Sequence, residues 1–526
     1  MRLGYTFNLV DKPWIPCVSK DGSMVELSLY DTLANAHKIQ EITDESPLVT
    51  AALHRVLLAI MHRVLGPKNE AEWCSIWNDG DPNIREDELL RYLDDWRHRF
   101  DLFDKKWPFY QVASFAVGNP SPVARLRQEL ASGNNPTLFD HSYESNEMAM
   151  TAAEAARSVI ATQSFALGGG RSATIYTRDA PIARSAVILM RGDSLAQTLV
   201  LNLVRYDHDA EVNEPFAATG EDMPAWEQDS APVPGPRVPN GYVDLLTWQS
   251  RMLRLEPEGS EDEPLVRRVH FAQAEVLESL PENAFVDPQA VGIRDEKLGM
   301  TPLRFDSQRA VWRDSVALLR VTPMEAGDVC RPNKALEWLG RMAVSGHVQF
   351  QATYRLSVLG LETEPGRAKA RLWRREDMPL PTAYLSKPML MDYLGEALTI
   401  AEEAGEAVRS ATWRLAKLIL YPLSEDPDVK QKWERKPVTA LAGSLNRLTY
   451  YWGALDVEFA VLLGRVVDDP DDALLRWSRA CERAAREAFD RTIASLEQNA
   501  RSLRATTRVS GALAWRISRI AGGEAG

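Results

Sequence analysis

Near residue 382 the hydrophobic periodicity of this 526-residue chain changes character. Beyond that point four long stretches (384–420, 438–463, 470–496 and 499–520) repeat apolar residues at spacings of three and four, which line one face of an α-helix. Four such stretches in succession predict a C-terminal four-helix bundle over residues 382–526. Ahead of it, short alternating runs mix with helical patterns, so residues 1–381 are expected to form a large mixed α/β domain with β-hairpins and loops. The fold class is therefore α+β. With 15 Trp, 14 Tyr and 14 Phe, and 45% hydrophobic residues, the chain can bury a sizeable core and is not a disordered or fibrous polymer.

Within the first domain, YTFNLV, WIPCV and MVELSL read as a three-stranded meander over residues 5–29. Amphipathic helices are predicted over 47–65, 84–103 and 147–165. The last of these stops at GGGR, residues 168–171, ahead of strand-like segments at 172–176 and 186–191. Residues 118–143 are polar and long for a connector, the kind of loop that usually has a task. Residues 208–242 are acidic and proline-rich and predict a surface excursion. Two hairpins are expected: VGIRDEKLGMTPLRF, whose tip projects Arg294 or Lys297, and LSVLGLETEPGRAKARLWRRED, which turns at Pro365 and Gly366.

Charge narrows the partners. The chain has 61 Lys and Arg against 74 Asp and Glu, so bulk attraction to a polyanion is excluded and any nucleic-acid contact must be local. Residues 401–526, by contrast, hold 19 basic and 18 acidic side chains. The four cysteines (Cys17, Cys74, Cys330 and Cys481) make no close pair suited to a zinc clip or redox dithiol, which fits a reducing compartment. No run reaches the eighteen or so apolar residues of a membrane span, and MRLGYTFNLVDKPW lacks a signal-peptide pattern. A soluble cytoplasmic protein with no membrane partner is expected.

Few residues look catalytic. GGGR follows a helix instead of a strand and lacks the Lys-Ser/Thr of a P-loop, so it is either a helix stop or a place where bare backbone approaches a ligand closely. Asp207, His208 and Asp209 resemble metal ligands, as does His141 near Asp140 and Glu144, but no third cluster supports either group. His54 and His62, eight apart on one predicted helix, read as packing residues. No standard hydrolase or transferase signature is present. Arg367, Lys369, Arg371, Arg374 and Arg375 crowd the second hairpin, as phosphate contacts or as protection of an edge strand. Arg501, Arg504, Arg508, Arg516 and Arg519 share nearly one face of the last helix, either a solvated face or a stripe that tracks a nucleic-acid backbone.

The opening FNLVDKPWIP (residues 7–16) resembles the N-terminal signature of the CasA family, the large subunit of the type I-E CRISPR Cascade complex. NNPTLFDHS (134–142), FALGGGRSAT (165–174), LLTWQSRMLRL (245–255) and PLRFDSQRAVWRD (302–314) follow in the family's order. The resemblance spans essentially the full length. It implies a non-catalytic reader, without cofactor or metal, that recognises the protospacer-adjacent motif in double-stranded DNA from the minor groove. It also implies that this subunit aids strand separation and R-loop formation, and recruits the helicase-nuclease. Its partners would be the other Cascade subunits, guide RNA, target DNA and that nuclease. By position, the motif-reading loop falls on Asn134, Asn135 and Phe139, the glycine loop on Gly168, Gly169 and Gly170, and the lysine finger on Lys297. Arg367 and Lys369 stand nearest the strand-parting wedge, since residues 364–370 lack the glutamine that family members carry there. Arg501, Arg504 and Arg508 belong to the bundle face expected to meet displaced DNA or a neighbouring subunit. The alternative reading is a metal-dependent hydrolase of unknown substrate built on Asp207, His208 and Asp209, or on His141.

Overall fold

The computed structural model describes residues 4–127, 148–169, 177–206, 221–278, 287–297, 299–322, 328–364, 369–422 and 432–520. The chain folds as two compact units, Met1–Ser307 with Ala317–Met378, and Gln308–Val316 with Pro379–Gly526.

In the first unit the strand Ile15–Ser19 pairs antiparallel with Met24–Leu27 and with Ile39–Ile42. The third strand of this sheet is thus Ile39–Ile42 and not the predicted YTFNLV. That segment turns instead, because the Asn8 side chain accepts from Val10 N at 3.0 Å and donates to Arg97 O at 2.9 Å. Local side-chain bonds of this kind compete successfully with a strand ladder. Trp14, fully buried, donates from Nε1 to Leu9 O and plugs the turn.

Helix Pro47–Leu65 is central. It was expected to be amphipathic, yet every residue except Arg63 and Val64 is buried. It is long and apolar enough to cross a membrane, contrary to the sequence expectation that no such run exists, but most of it lies inside the unit. His54 and His62 donate from Nδ1 to carbonyls one turn back, Thr50 O and Leu58 O, each at 2.8 Å, and burial pushes the His54 pKa down to about 4. Beside it runs helix Ala152–Phe165, started by a capping box between Thr151 and Glu154. Leu48, Ala51, Phe165, Ile182, Val187, Leu189, Leu359 and Leu361 join these helices to the strands Val187–Arg191 and Thr353–Thr363 in one apolar cluster.

Of the expected excursion 208–242, residues 208–220 lie outside the described residues, residues 229–231, Val233, Pro234 and Pro236 are exposed, and the flanking residues 222–228 and 239–242 are packed in. Trp226 is buried against Phe100, Phe109 and Tyr110, and Asp222 accepts from Val243 N and Asp244 N at the start of helix Tyr242–Leu246. The proline and acid content misleads there because one large aromatic side chain outweighs it.

The second unit is helical: Met389–Leu420, Arg435–Leu445, Leu448–Asp468, Pro470–Ala494 and Ala500–Ile520. The predicted stretch 438–463 is two helices, interrupted at Asn446 and Arg447. The longest helix presents Ala397, Ala401, Ala404, Gly405 and Val408 inward. Small residues let aromatics reach its backbone, so Tyr451 and Trp477 both donate to its carbonyls at 2.7 Å, from Oη to Ala401 O and from Nε1 to Ala397 O. A Cβ on Gly405 would lie 2.9 Å from Trp452 and 3.0 Å from Tyr451.

Residues 308–316, read from sequence as part of the first domain, belong to this helical unit. Trp312 stacks on Phe459 at 4.6 Å between centroids, meets Trp452 and Trp477 edge-on, and donates to Asp456 Oδ1 at 2.6 Å. Arg313 places its guanidinium 3.6 Å from the centre of the Trp452 ring and 2.8 Å from both Glu402 oxygens.

Candidate nucleic-acid interface

Gly168 and Gly169 follow helix Ala152–Phe165 and are half-buried. Gly169 and Thr177 exchange two backbone hydrogen bonds of 2.7 Å, which hold the two flanks of residues 170–176 together. A Cβ on Gly168 would sit 2.7 Å from Thr177 O, 2.8 Å from Asp179 N and 2.9 Å from Arg178 C. The close approach that glycine permits at position 168 is therefore to the chain's own returning backbone at residues 177–179. Gly169, at φ +153°, remains at the mouth of the loop. Asp179 accepts from Gly168 N at 2.6 Å and is itself held by Arg184 at 2.6 Å.

Beneath the loop lies a residue that the sequence did not single out, although the LLTWQSRMLRL motif contains it. Arg251 is 1% exposed and has no carboxylate partner among the described residues. Its Nη2 donates to Ala166 O at 3.1 Å, Leu167 O at 3.4 Å and Arg178 O at 2.6 Å, while Nη1 donates to Ser250 O at 2.9 Å. One guanidinium thus ties the chain entering the glycine loop to the chain leaving it. Burial brings its pKa down to about 10, partly opposed by Asp179, so the group stays charged at neutral pH. Gln163 fixes the arginine's backbone at both ends, accepting from Arg251 N at 2.8 Å and donating to Arg251 O at 2.9 Å. On strand Pro264–Gln273, Gln273 Oε1 accepts from Arg178 N at 2.7 Å.

The segment 177–186 is the common root of three candidate elements. Its first residues close the glycine loop. Arg184 Nη1 donates to Thr363 Oγ1 at 2.8 Å, at the end of strand Thr353–Thr363 in the second hairpin. Ala186 N donates to Leu303 O at 2.8 Å, at the base of the hairpin formed by Gly292–Asp295 and Gly299–Pro302. This hairpin pairs as the turn residues predict, with Asp295 opposite Gly299. Lys297 lies exposed at its tip, where its N–H is turned back to Asp295 Oδ1 at 2.8 Å. Arg294, the other candidate at that tip, is occupied, donating from Nε to Asp328 O at 3.0 Å.

The cationic ribbon is not a bare positive strip. Lys369 pairs with Glu364 at 3.3 Å, Arg371 with Glu362 at 3.2 Å, Arg374 with Glu376, and Arg375 with Asp377 and Glu41 at 3.0 Å. Each of these four cations thus has an acid beside it, across the strand pair for Lys369 and Arg371 and two residues along the same strand for Arg374 and Arg375. The partly exposed Lys369–Glu364 pair contributes up to about 1 kcal/mol, so a phosphate can displace the acid there, whereas the Glu362 side chain is 6% exposed and would be left buried and unpaired by loss of Arg371.

On helix Ala500–Ile520 the contrast is plain. Ser502, Ala505, Val509, Leu513 and Ile517 are buried, while Arg501, Arg504, Arg508 and Arg516 are exposed and form no ion pair among the described residues. Asn134, Asn135, Phe139, Gly170 and Arg367 lie outside the described residues, as do Asp207, His208, Asp209 and His141. Among the described residues no three His, Cys, Asp or Glu side chains gather as a metal site. All four cysteines are unbridged.

A two-unit α+β chain with this order of elements matches the family model of the CRISPR-associated protein Cse1 over residues 8–488, and the chain belongs to that family. It is 36% identical over 509 residues to the CRISPR-associated protein CasA/Cse1 of Thermus thermophilus, covering 95% of each chain. The solved structure of Thermus thermophilus CasA (Cse1) superposes with a TM-score of 0.77 at 30% identity, covering 99% of this chain and 100% of that one. The fold is also shared with a chain of a CRISPR RNA-guided surveillance complex, at a TM-score of 0.74 and 18% identity over 97% of this chain and 100% of that one.

Proposed function

We propose that this chain is the non-catalytic large subunit of a type I-E CRISPR surveillance complex, acting in the cytoplasm with the other Cascade subunits and guide RNA. It reads the protospacer-adjacent motif in double-stranded DNA from the minor groove, helps part the strands for R-loop formation, and recruits the helicase-nuclease that cleaves the target. The observation that carries the reading is the shared root of the glycine loop, the Lys297 hairpin and the ribbon at residues 177–186. Three elements suited to a narrow trough are fixed to one ten-residue segment. Backbone at Gly169 reaches where a side chain would clash with the walls of a groove about 6 Å wide, and one exposed ammonium selects acceptor-bearing base edges. The minor-groove code is degenerate, so tolerance of several motifs follows.

Lys297→Ala and Gly169→Asp are each expected to weaken binding of the assembled complex to motif-bearing duplexes while leaving assembly on guide RNA intact. An edge contact by Lys297 would cost about 1–3 kcal/mol and change motif preference, whereas a phosphate contact would lower the salt slope by about one unit. Competition binding across all flanking triplets at two salt concentrations separates these outcomes. Equal affinity for every triplet in parent and variants would exclude motif reading here.

The unpaired arginines of the last helix add a second contact, to displaced DNA or a neighbouring subunit. Replacing Arg501, Arg504 and Arg508 together by Glu is expected to weaken that capture and to reduce its salt dependence by about two units. Normal capture and normal assembly in the triple variant would make the stripe an ordinary solvated face.

A further inference from the structure

We infer that Trp515, with Arg519 beside it, is a stacking platform for an unpaired base, and that helix Ala500–Ile520 binds single-stranded nucleic acid. The inference rests on the proposed nucleic-acid role of the arginine stripe and specifies its ligand. Trp515 is 54% exposed, unusual for so large an apolar ring on a helix that buries a continuous line of Ala505, Val509, Leu513 and Ile517 on another side. Arg519 holds its guanidinium 4.8 Å from the centre of the Trp515 ring, one turn along the helix. Between Arg508 and Trp515 stand Gly511 and Ala512, both exposed, and nothing lies within 4 Å of the place a Gly511 Cβ would occupy. At 1.5 Å per residue the sequence Arg501, Arg504, Arg508, Trp515, Arg519 spans about 27 Å of one face.

Cations that track a backbone, interrupted by an aromatic ring open to stacking, are the two components of sequence-tolerant single-strand binding. The ring argues against a duplex ligand, whose bases are already stacked on one another and offer only their edges. The arginines argue against an apolar protein partner: Arg501, Arg504, Arg508 and Arg516 have no acid paired with them among the described residues, and a polyanion complements all four.

The test uses the full chain at low salt, with fluorescently labelled 15-nucleotide oligo-dT, oligo-rU, a duplex of equal length, and an oligo-dT carrying abasic sites throughout its central third. Trp515→Ala is expected to lower affinity for oligo-dT and oligo-rU by roughly 5- to 100-fold, the range of one base–aromatic stack. The same substitution should change affinity for the abasic strand less than twofold and leave the salt slope unaltered, while Trp515→Phe restores most of the binding. Preference for DNA over RNA or the reverse identifies which strand is the ligand. The platform is overturned if Trp515→Ala binds oligo-dT as the parent does, or if it loses the abasic strand or the duplex to the same extent as oligo-dT. The arginine reading fails separately, if the triple Glu variant at 501, 504 and 508 binds every ligand as the parent does.

Discussion

Trp312→Ala is expected to destabilise the helical unit by about 3–5 kcal/mol, the cost of emptying a large aromatic site that cannot fully collapse. The ring is 6% exposed and is surrounded by Phe459, Trp452 and Trp477, all large and held by their own neighbours. Its loss also leaves Asp456 without its 2.6 Å donor. Because the protein has two units, a single melting temperature is the wrong observable. Hydrogen exchange resolved by peptide should show accelerated exchange in Leu448–Asp468 and Pro470–Ala494, with helix Pro47–Leu65 unchanged. Trp312→Phe should recover most of the packing and lose only the Asp456 bond, about 1 kcal/mol. Equal protection in the alanine variant and the parent would show that residues 308–316 merely rest on the helices.

Arg251→Met is expected to cost about 2–4 kcal/mol and to open the glycine loop before the rest of its unit. The substitution removes a buried charge, which is favourable, but it leaves the carbonyls of Ala166, Leu167 and Arg178 without their shared donor. Ala166 O still accepts from Ala180 N at 2.8 Å, so the cost falls mainly on the Leu167 and Arg178 carbonyls, whose bonds are part-buried, at about 1–3 kcal/mol each less what relaxation or an entering water recovers. Arg251→Lys keeps the charge but cannot reproduce a planar fork that reaches both flanks at once, so it should restore stability only in part. The measurements are amide exchange at Gly169 and Thr177, whose mutual hydrogen bonds close the loop, and motif discrimination by the assembled complex. Loss of discrimination with intact assembly on guide RNA separates a positioning role from simple unfolding. Unchanged exchange at both amides would show that the guanidinium does not hold the loop.

The hairpin at residues 292–302 was legible because its signal is local: a turn-forming DEKLG between alternating runs leaves few other conformations. The long C-terminal helices were legible for the same reason, apart from two breaks, at Lys387 and Pro388 within the stretch 384–420 and at Asn446 and Arg447 within 438–463. Features that depend on distant partners were not. Asn8 diverts YTFNLV from a strand by bonding to Arg97, 89 residues away. Arg251 reaches carbonyls 73 to 85 residues earlier, and no spacing rule along the chain marks such an arginine as different from its neighbours. Gly168 shows a third kind of illegibility. Sequence says that a side chain is unwelcome there, but not whether the intruder is a ligand or the protein's own backbone. The cations of residues 369–375 were visible one by one, while the pairing of Lys369 with Glu364 and of Arg371 with Glu362 emerges only when two strands are laid side by side.

The nine residues around Trp312 precede the helices that receive them by some 70 to 180 positions in the chain. During synthesis this aromatic anchor leaves the ribosome well before Phe459 and Trp477 exist, so the helical unit cannot finish its core by working on the newest residues alone. A cut at residue 378 would therefore yield two damaged pieces, one with an orphaned tryptophan and one with a hole.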